Sequence, residues 1–304
     1  KHGVFFRAHK GWAVEDTNST NGVFLNGIKI EKAQYLYPLD VIRMGNLFFF
    51  YDGEKLWYPI EKNYVVKKKN NKAGKGNHLE ISIKDRTVRH NFKKLVLLQD
   101  INMTIHSGEM VLILGGSGAG KTTFMNAVMG YEKANGTICY GKTDIYREYE
   151  KMKYEIGFVP QQDLLRGSDT VYDTLRNAAQ MKMPKSITPV DMEKRIKEVM
   201  ELLGLSREKN SLVDKLSGGQ RKRLSIAVEF IANPGLFFLD EPDSGLDGIM
   251  ARELMKNLRT IADSGKIVMV ITHGPDRAPE LFDKVVVLAK STSDNCGHLA
   301  FYGS

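Results

Sequence analysis

Cysteine is nearly absent: Cys139 and Cys296 are the only two in 304 residues, so at most one bridge is available and a disulfide scaffold is excluded. Long apolar runs are missing too. Stretches such as Met110 to Leu114 and Leu47 to Tyr51 fall far short of the ~20 residues a membrane-spanning helix needs. No charged segment followed by an apolar leader opens the chain, and with so few cysteines a reducing, cytoplasmic setting is expected. What is present is ordinary for a globular protein, 42% apolar and 26% charged residues, which argues against disorder and coiled coil. The 44 lysines and arginines exceed the 36 acidic residues, a net +8 that suits nucleic acid, an anionic surface or phosphate ligands without choosing among them.

Residues 1–58 read as short strands (Val4 to Phe6, Trp12 to Val14, Val23 to Leu25, Val41 to Met44, Leu47 to Tyr51) separated by turns. Asn21-Gly22 and Asn26-Gly27 offer the positive φ that tight hairpin turns require. A basic, polar segment from Lys67 to His78 without a hydrophobic face marks a linker, taken as residues 59–78, either a solvated tether or a contact for anionic lipid headgroups. From residue 79 to 304, strand-like runs (Glu80 to Ile83, Met110 to Leu114, Ile156 to Val159, Gly235 to Leu239, Lys266 to Ile271, Lys284 to Leu288) are interspersed with helical segments. The helices are expected at Lys121 to Met129, Asp191 to Leu203 and Gly219 to Ala232. Strand and helix taking turns predicts a parallel α/β architecture.

Within that region Gly115, Gly116, Ser117, Gly118, Ala119, Gly120, Lys121 and Thr122 fit G-x-x-x-x-G-K-[ST], entered by an apolar strand and left by a helix. Such a loop turns its N–H groups toward phosphate oxygens and adds the positive end of a helix dipole. Lys121 is expected to reach the β and γ phosphates of a nucleoside triphosphate, and Thr122 to offer Mg²⁺ a hard oxygen ligand. Asp240 ends an apolar strand and suits the same cation. Glu241 follows at the strand tip, in position to act as base toward the attacking water.

Further motifs follow in fixed order: Leu216-Ser217-Gly218-Gly219-Gln220, Asp240-Glu241-Pro242, Ser244-Gly245-Leu246-Asp247 and Ile271-Thr272-His273. Together with the phosphate loop they resemble the ATPase domain of ABC transporters. The resemblance implies an α/β P-loop NTPase with a helical subdomain over about residues 163–215, binding ATP and Mg²⁺. It implies ATP contacts from the loop through Thr123, and from Gln161, Ser217, Gly218, Gly219, Gln220 and Asp247. Metal contacts are implied from Thr122, Gln161 and Asp240, and catalytic roles for Glu241, Lys121 and His273. Gln162 is adjacent to Gln161 and shares its chemistry. Phe92, 23 residues before Gly115, is either a platform for the adenine ring or a core phenylalanine. Ser217 to Gly219 are implied to complete the site of a second copy in a head-to-tail dimer. Asp243 stands where the family more often has Thr, bringing an extra carboxylate near that interface.

Thr170 to Met181, Met183-Pro184 and Gln220 to Glu229 resemble the White-type half-transporters, the G subfamily, in which the ATPase precedes a membrane domain that this chain does not carry. The resemblance implies the cytoplasmic portion of an exporter at the plasma membrane. Asp16 to Gly27, with Leu39 to Gly45, resembles the second half of a forkhead-associated (FHA) domain, an all-β sandwich binding phosphothreonine peptides, and implies peptide contacts from Thr20 and Asn21. Half a sandwich is expected to leave strand edges exposed. Two rivals stand beside this reading: a soluble ATPase acting on nucleic acid or ribosomes, disfavoured by the single cassette, and a phosphopeptide scaffold that binds ATP without turnover, disfavoured by Glu241 and His273.

Overall fold

The structure, a computed structural model, describes the chain apart from residues 1, 2, 10, 20, 21, 27, 39, 45, 46, 52, 54, 58–76, 91, 92, 273, 275–277 and 292–294. Its front is all β. Strands β1 (Gly3–Ala8), β2 (Gly11–Asp16), β3 (Val23–Leu25), β4 (Ile28–Lys29), β5 (Gln34–Tyr35), β6 (Asp40–Met44), β7 (Leu47–Tyr51) and β8 (Leu56–Trp57) form two antiparallel sheets, ordered β1-β2-β5 and β4-β3-β6-β7-β8. Alternation supplies a small core of its own, Val14, Val23, Ile30, Leu36, Ile42, Met44 and Tyr51. The β3–β4 hairpin turns at Asn26, whose φ of 50° is the left-handed conformation that Asn tolerates. Its amide donates to Asp40 Oδ1 at 2.8 Å and accepts from the Val41 N–H at 2.9 Å, so the buried Asp40 is satisfied. Val41 points away from this core and is buried instead against Leu112, Leu114, Val287 and Ala300 of the larger part.

That larger part is built on one ten-stranded sheet. Its strands are β9 (His78–His90), β10 (Lys93–His106), β11 (Met110–Gly115), β12 (Asn135–Tyr140), β13 (Thr143–Asp144), β14 (Ile156–Val159), β15 (Leu236–Asp240), β16 (Ile267–Ile271), β17 (Lys284–Lys290) and β18 (Gly297–Gly303). The spatial order is β13-β12-β9-β10-β18-β17-β11-β16-β15-β14. Strands β17, β11, β16, β15 and β14 are parallel, as alternation of strand and helix predicts. The rest departs from that expectation: β9, β10, β12 and β13 pair antiparallel, and β18 is antiparallel to β17 while parallel to β10. The sheet is mixed.

The helices are α1 (Lys121–Met129), α2 (Tyr149–Met152), α3 (Val171–Lys182), α4 (Pro189–Leu202), α5 (Gly218–Phe230) and α6 (Gly248–Asp263). Local chemistry sets their starts. Thr170, Thr188, Ser217 and Asp247 each accept the N–H three residues on, at α3, α4, α5 and α6. One core lies between the sheet, α1 and the antiparallel strands (Ile81, Ile113, Phe124, Phe238), the other between the sheet, α3, α4, α5 and α6 (Leu175, Val199, Phe237, Leu254). Among the described residues no helix is long and apolar enough to cross a membrane. Neither cysteine is in a disulfide; Cys139 is half-buried and Cys296 buried.

Candidate functional site: the phosphate loop and its carboxylates

Strand β11 is buried along Met110 to Leu114 and sits between β16 and β17, so the loop that follows starts from the middle of the sheet. Gly115 has φ 155°, and a Cβ there would meet the Leu288 carbonyl oxygen at 2.4 Å. Gly120, with φ 89°, precedes α1 where a Cβ would meet Leu98 Cδ2 at 2.7 Å. Nothing lies within 4 Å of a Cβ at Gly116 or Gly118, which leaves the open side of the loop free for a ligand's oxygens. No side chain caps α1, so its first N–H groups remain donors for an anion.

Lys121 Nζ donates to the carbonyls of Gly115 and Gly116 at 2.9 and 3.2 Å. Partial burial pushes its pKa below the ordinary lysine value, opposed by the charges of Glu241 and Asp240. Thr122 Oγ1 stands 3.4 Å from Asp240 Oδ2. A hydroxyl and a carboxylate beside a phosphate loop are hard oxygen donors of the kind Mg²⁺ takes while sharing its shell with phosphates. Among the described residues no group of three or more His, Cys, Asp and Glu side chains gathers as a metal site.

Asp240 closes the buried strand β15. Glu241, next in sequence, takes φ 48°, rare for a residue with a Cβ, and is held by its N–H bond to the Ile271 carbonyl at 2.9 Å. Its Oε2 accepts the Gln161 amide at 2.8 Å. Gln161 therefore reaches the site from the end of β14, which two strands, β16 and β15, separate from β11.

Ser217 and Gln220 form a reciprocal capping box: the Ser217 N–H reaches Gln220 Oε1 at 2.9 Å, and the Gln220 N–H reaches Ser217 Oγ at 3.3 Å. Gln220 Nε2 also donates to Glu208 at 2.9 Å. Gly218 has open space beside it, whereas a Cβ at Gly219 would meet Met250 Cε at 2.6 Å. None of these four residues lines the cleft at the phosphate loop. Asp247 caps α6, accepting the Met250 N–H at 2.8 Å. Asp243 is 4% exposed and accepts the Thr272 hydroxyl, which follows β16, at 2.7 Å. His273, Phe92, Thr20 and Asn21 lie outside the described residues.

The cleft itself, about 420 Å³, is lined by Ser117, Gly118, Gly120 to Thr123, Asp240 and Glu241, together with Leu95, Leu97, Lys290 and Asn295. The latter four went unnoticed in the sequence, since no motif carries them. A larger hollow of about 770 Å³ on the helical arm, lined by Tyr172, Val190, Lys194 and Met200 among others, contains none of the phosphate-binding groups. Also missed is Lys222 on α5, buried with its Nζ 2.8 Å from Asp163 and 2.9 Å from the Gln161 carbonyl. Its place in a run of four polar residues, Gln220 to Arg223, gave no sign that it points inward.

A glycine loop between strand and helix, with a paired Thr and Asp and a carboxylate at the next strand tip, defines a P-loop NTPase of the ABC type. Residues 98–244 match the family described as ABC transporter, and residues 1–45 that described as FHA domain. The chain belongs to the ABC transporter family, with an FHA domain ahead of its ATP-binding domain. It is similar to the ABC transporter ATP-binding/permease protein Rv1747 of Mycobacterium tuberculosis, 34% identical over 304 residues, 99% of this chain and 33% of that protein. It is likewise similar to ABC transporter G family member 21 of Arabidopsis thaliana, 35% identical over 221 residues, covering 69% and 32% of the two chains. The chain thus spans about a third of the length of these relatives. Among solved structures it resembles the dimeric post-hydrolysis state of the ATP-binding cassette MJ0796 bound to ADP and Pi. The TM-score is 0.62 at 25% identity, over 74% of this chain and 98% of that one.

Proposed function

We propose that the chain is the ATP-hydrolysing cytoplasmic portion of an exporter, working as a dimer with two ATP molecules sandwiched between phosphate loop and signature segment. Its division would be an FHA-like part over 1–58, a linker over 59–78 and the cassette over 79–304, with the helical subdomain at about 163–215. The observation that carries the reading is the convergence of Lys121, Thr122, Asp240 and Glu241 on one cleft, with Gln161 bonded to Glu241. When triphosphate enters, Lys121 exchanges the Gly115 and Gly116 carbonyls for phosphate oxygens, while the N–H groups from Gly116 to Thr123 cradle the chain of phosphates. Thr122 and Asp240, with Gln161 as the nearby amide, would hold Mg²⁺, which when bound would neutralise charge on the phosphates. Glu241 orients a water and accepts its proton once Gln161 releases the carboxylate, and His273 steadies the γ-phosphate side. The capped N-terminus of α5, with Ser217, Gly218, Gly219 and Gln220, serves the second copy's nucleotide, and Asp247 stays at the junction. The FHA-like part, through Thr20 and Asn21, docks a phosphothreonine protein that regulates transport, and a membrane domain completes the machine at the cytoplasmic face of the plasma membrane.

The test compares wild type with Glu241→Gln by sizing chromatography in Mg²⁺-ATP, with phosphate release recorded on the same samples. Loss of the base is expected to lower turnover by at least about a hundredfold while trapping the dimer. A Glu241→Gln protein that turns over normally removes Glu241 from the mechanism. A wild type that hydrolyses ATP while both proteins stay monomeric removes the sandwich.

A further inference from the structure

We propose that Asp243 is a positioning residue for hydrolysis: through the Thr272 hydroxyl it clamps the turn that carries Glu241 to the end of β16, and so keeps the Glu241 carboxylate at the cleft. The inference rests on the reading of Glu241 as base and adds what holds that base in place. Strands β15 and β16 run in register as far as Asp240 and Ile271, and there the ladder ends. Glu241 is the first residue beyond it and takes a left-handed φ of 48°, a conformation that persists only where the surroundings over-determine it. The turn that follows closes on itself, with the Ser244 N–H bonded to the Glu241 carbonyl at 3.1 Å and the Leu246 N–H to the Asp243 carbonyl at 3.2 Å. Neither of those bonds fixes the turn against the sheet.

Attachment to the sheet comes from bonds to the chain leaving β16. The Glu241 N–H donates to the Ile271 carbonyl at 2.9 Å, and two residues on, Asp243 Oδ2 accepts the hydroxyl of the following residue, Thr272, at 2.7 Å. Only Pro242 lies between the two attachments, and its ring removes one backbone rotation, so pinning residue 243 restricts residue 241. The bond is also directional. A carboxylate accepts and does not donate, so the Thr272 proton points to Asp243, and the hydroxyl oxygen accepts the Gly274 N–H at 3.0 Å. Both side chains are buried, where such a chain of bonds is stronger than in water. Cohesion alone does not call for it: an apolar pair of similar shape would join turn to strand with little change in stability, but with no preferred direction. What the polar pair adds is a fixed geometry at the tip that bears the base.

Steady-state hydrolysis of Mg²⁺-ATP by the 304-residue chain tests this, with Asp243→Ala, Asp243→Asn and Thr272→Val made alone and in the Glu241→Gln background. Asp243→Ala should lower kcat by about tenfold or more, the worth of a hydrogen bond to a charged group, and leave KM and the calorimetric affinity for ATP unchanged. Asp243→Asn keeps an acceptor oxygen and should regain most of the rate. In Glu241→Gln the Asp243→Ala change should remove nothing further, because it acts through the base. The double variant Asp243→Val with Thr272→Val leaves neither buried group without its partner, so it should unfold in urea near the wild-type midpoint and still carry the loss of kcat. Amide exchange gives a readout that needs no turnover: in Asp243→Ala the Glu241 N–H should exchange faster, while that of Phe238 within β15 does not. A double variant with wild-type kcat overturns the assignment. So does a loss of ATP affinity matching the loss of rate, an equal further loss in the Glu241→Gln background, or a Glu241 N–H that exchanges as in wild type. Normal turnover by Glu241→Gln alone removes the base itself, an outcome read independently of any Asp243 variant.

Discussion

Lys121 shows how one proton reports on the site. Burial lowers its pKa and the neighbouring carboxylates only partly restore it, so between its lowered pKa and the ordinary value of about 10.4 the folded chain holds fewer protons than the unfolded one. Stability contributed by this group therefore rises with pH through that window, and below it the charged lysine imposes its full desolvation cost. Phosphates beside Nζ raise the pKa again, so nucleotide binding should take up protons in the alkaline range and none near neutrality. Titration in two buffers of different ionisation enthalpy measures the uptake, which should vanish in Lys121→Met. Uptake that persists in that variant assigns it to another group. Asp243 teaches a different point at the same scale. Its carboxylate is buried against the Thr272 hydroxyl, a partner 29 residues away that the local sequence does not reveal.

At the level of elements, α5 does more than present its N-terminus. Lys222 ties it to the segment after β14 through a buried ion pair with Asp163, their side chains 5% and 16% exposed. Lys222→Met leaves that carboxylate without its cation and should cost about 3–5 kcal/mol in urea unfolding. Adding Asp163→Leu should recover most of the loss, and a double variant as weak as the single would show that the pair is not what stabilises the junction. Strands β3, β7 and β14 and helix α1 fall where hydrophobic pattern and glycine chemistry put them, residue for residue. Strand β10 was not legible, because a register shift between Val96 and Leu98 and a left-handed Asp100 interrupt its alternation. Strand β18 was hidden by its glycines and its mixed polarity. Residues of the phosphate loop and the two carboxylates were readable since each needs a particular residue type at a fixed spacing. Lys290 and Asn295 owe their position to tertiary pairing alone.

For the molecule as a whole, the FHA-like front is joined to the cassette sheet by an apolar contact at Val41, against the phosphate-loop strand and its neighbours. Val41→Asp would bury a carboxyl group among Leu112, Leu114 and Val287, a desolvation cost that separation of the two parts avoids. Scanning calorimetry should then show the front melting earlier, apart from the cassette, and a trace unchanged from wild type would mean that the contact contributes nothing to stability. The placement of β11 between β16 and β17 has a consequence during synthesis. The antiparallel β9–β10 pair is local and can form while the ribosome is still making α1, but the strand that carries the phosphate loop gains its flanking partners only when residues 267–290 have emerged. A nascent chain halted before that point would display the glycine motif in full and hold no nucleotide, so the first molecule of ATP retained marks the moment at which the polypeptide closes its own sheet.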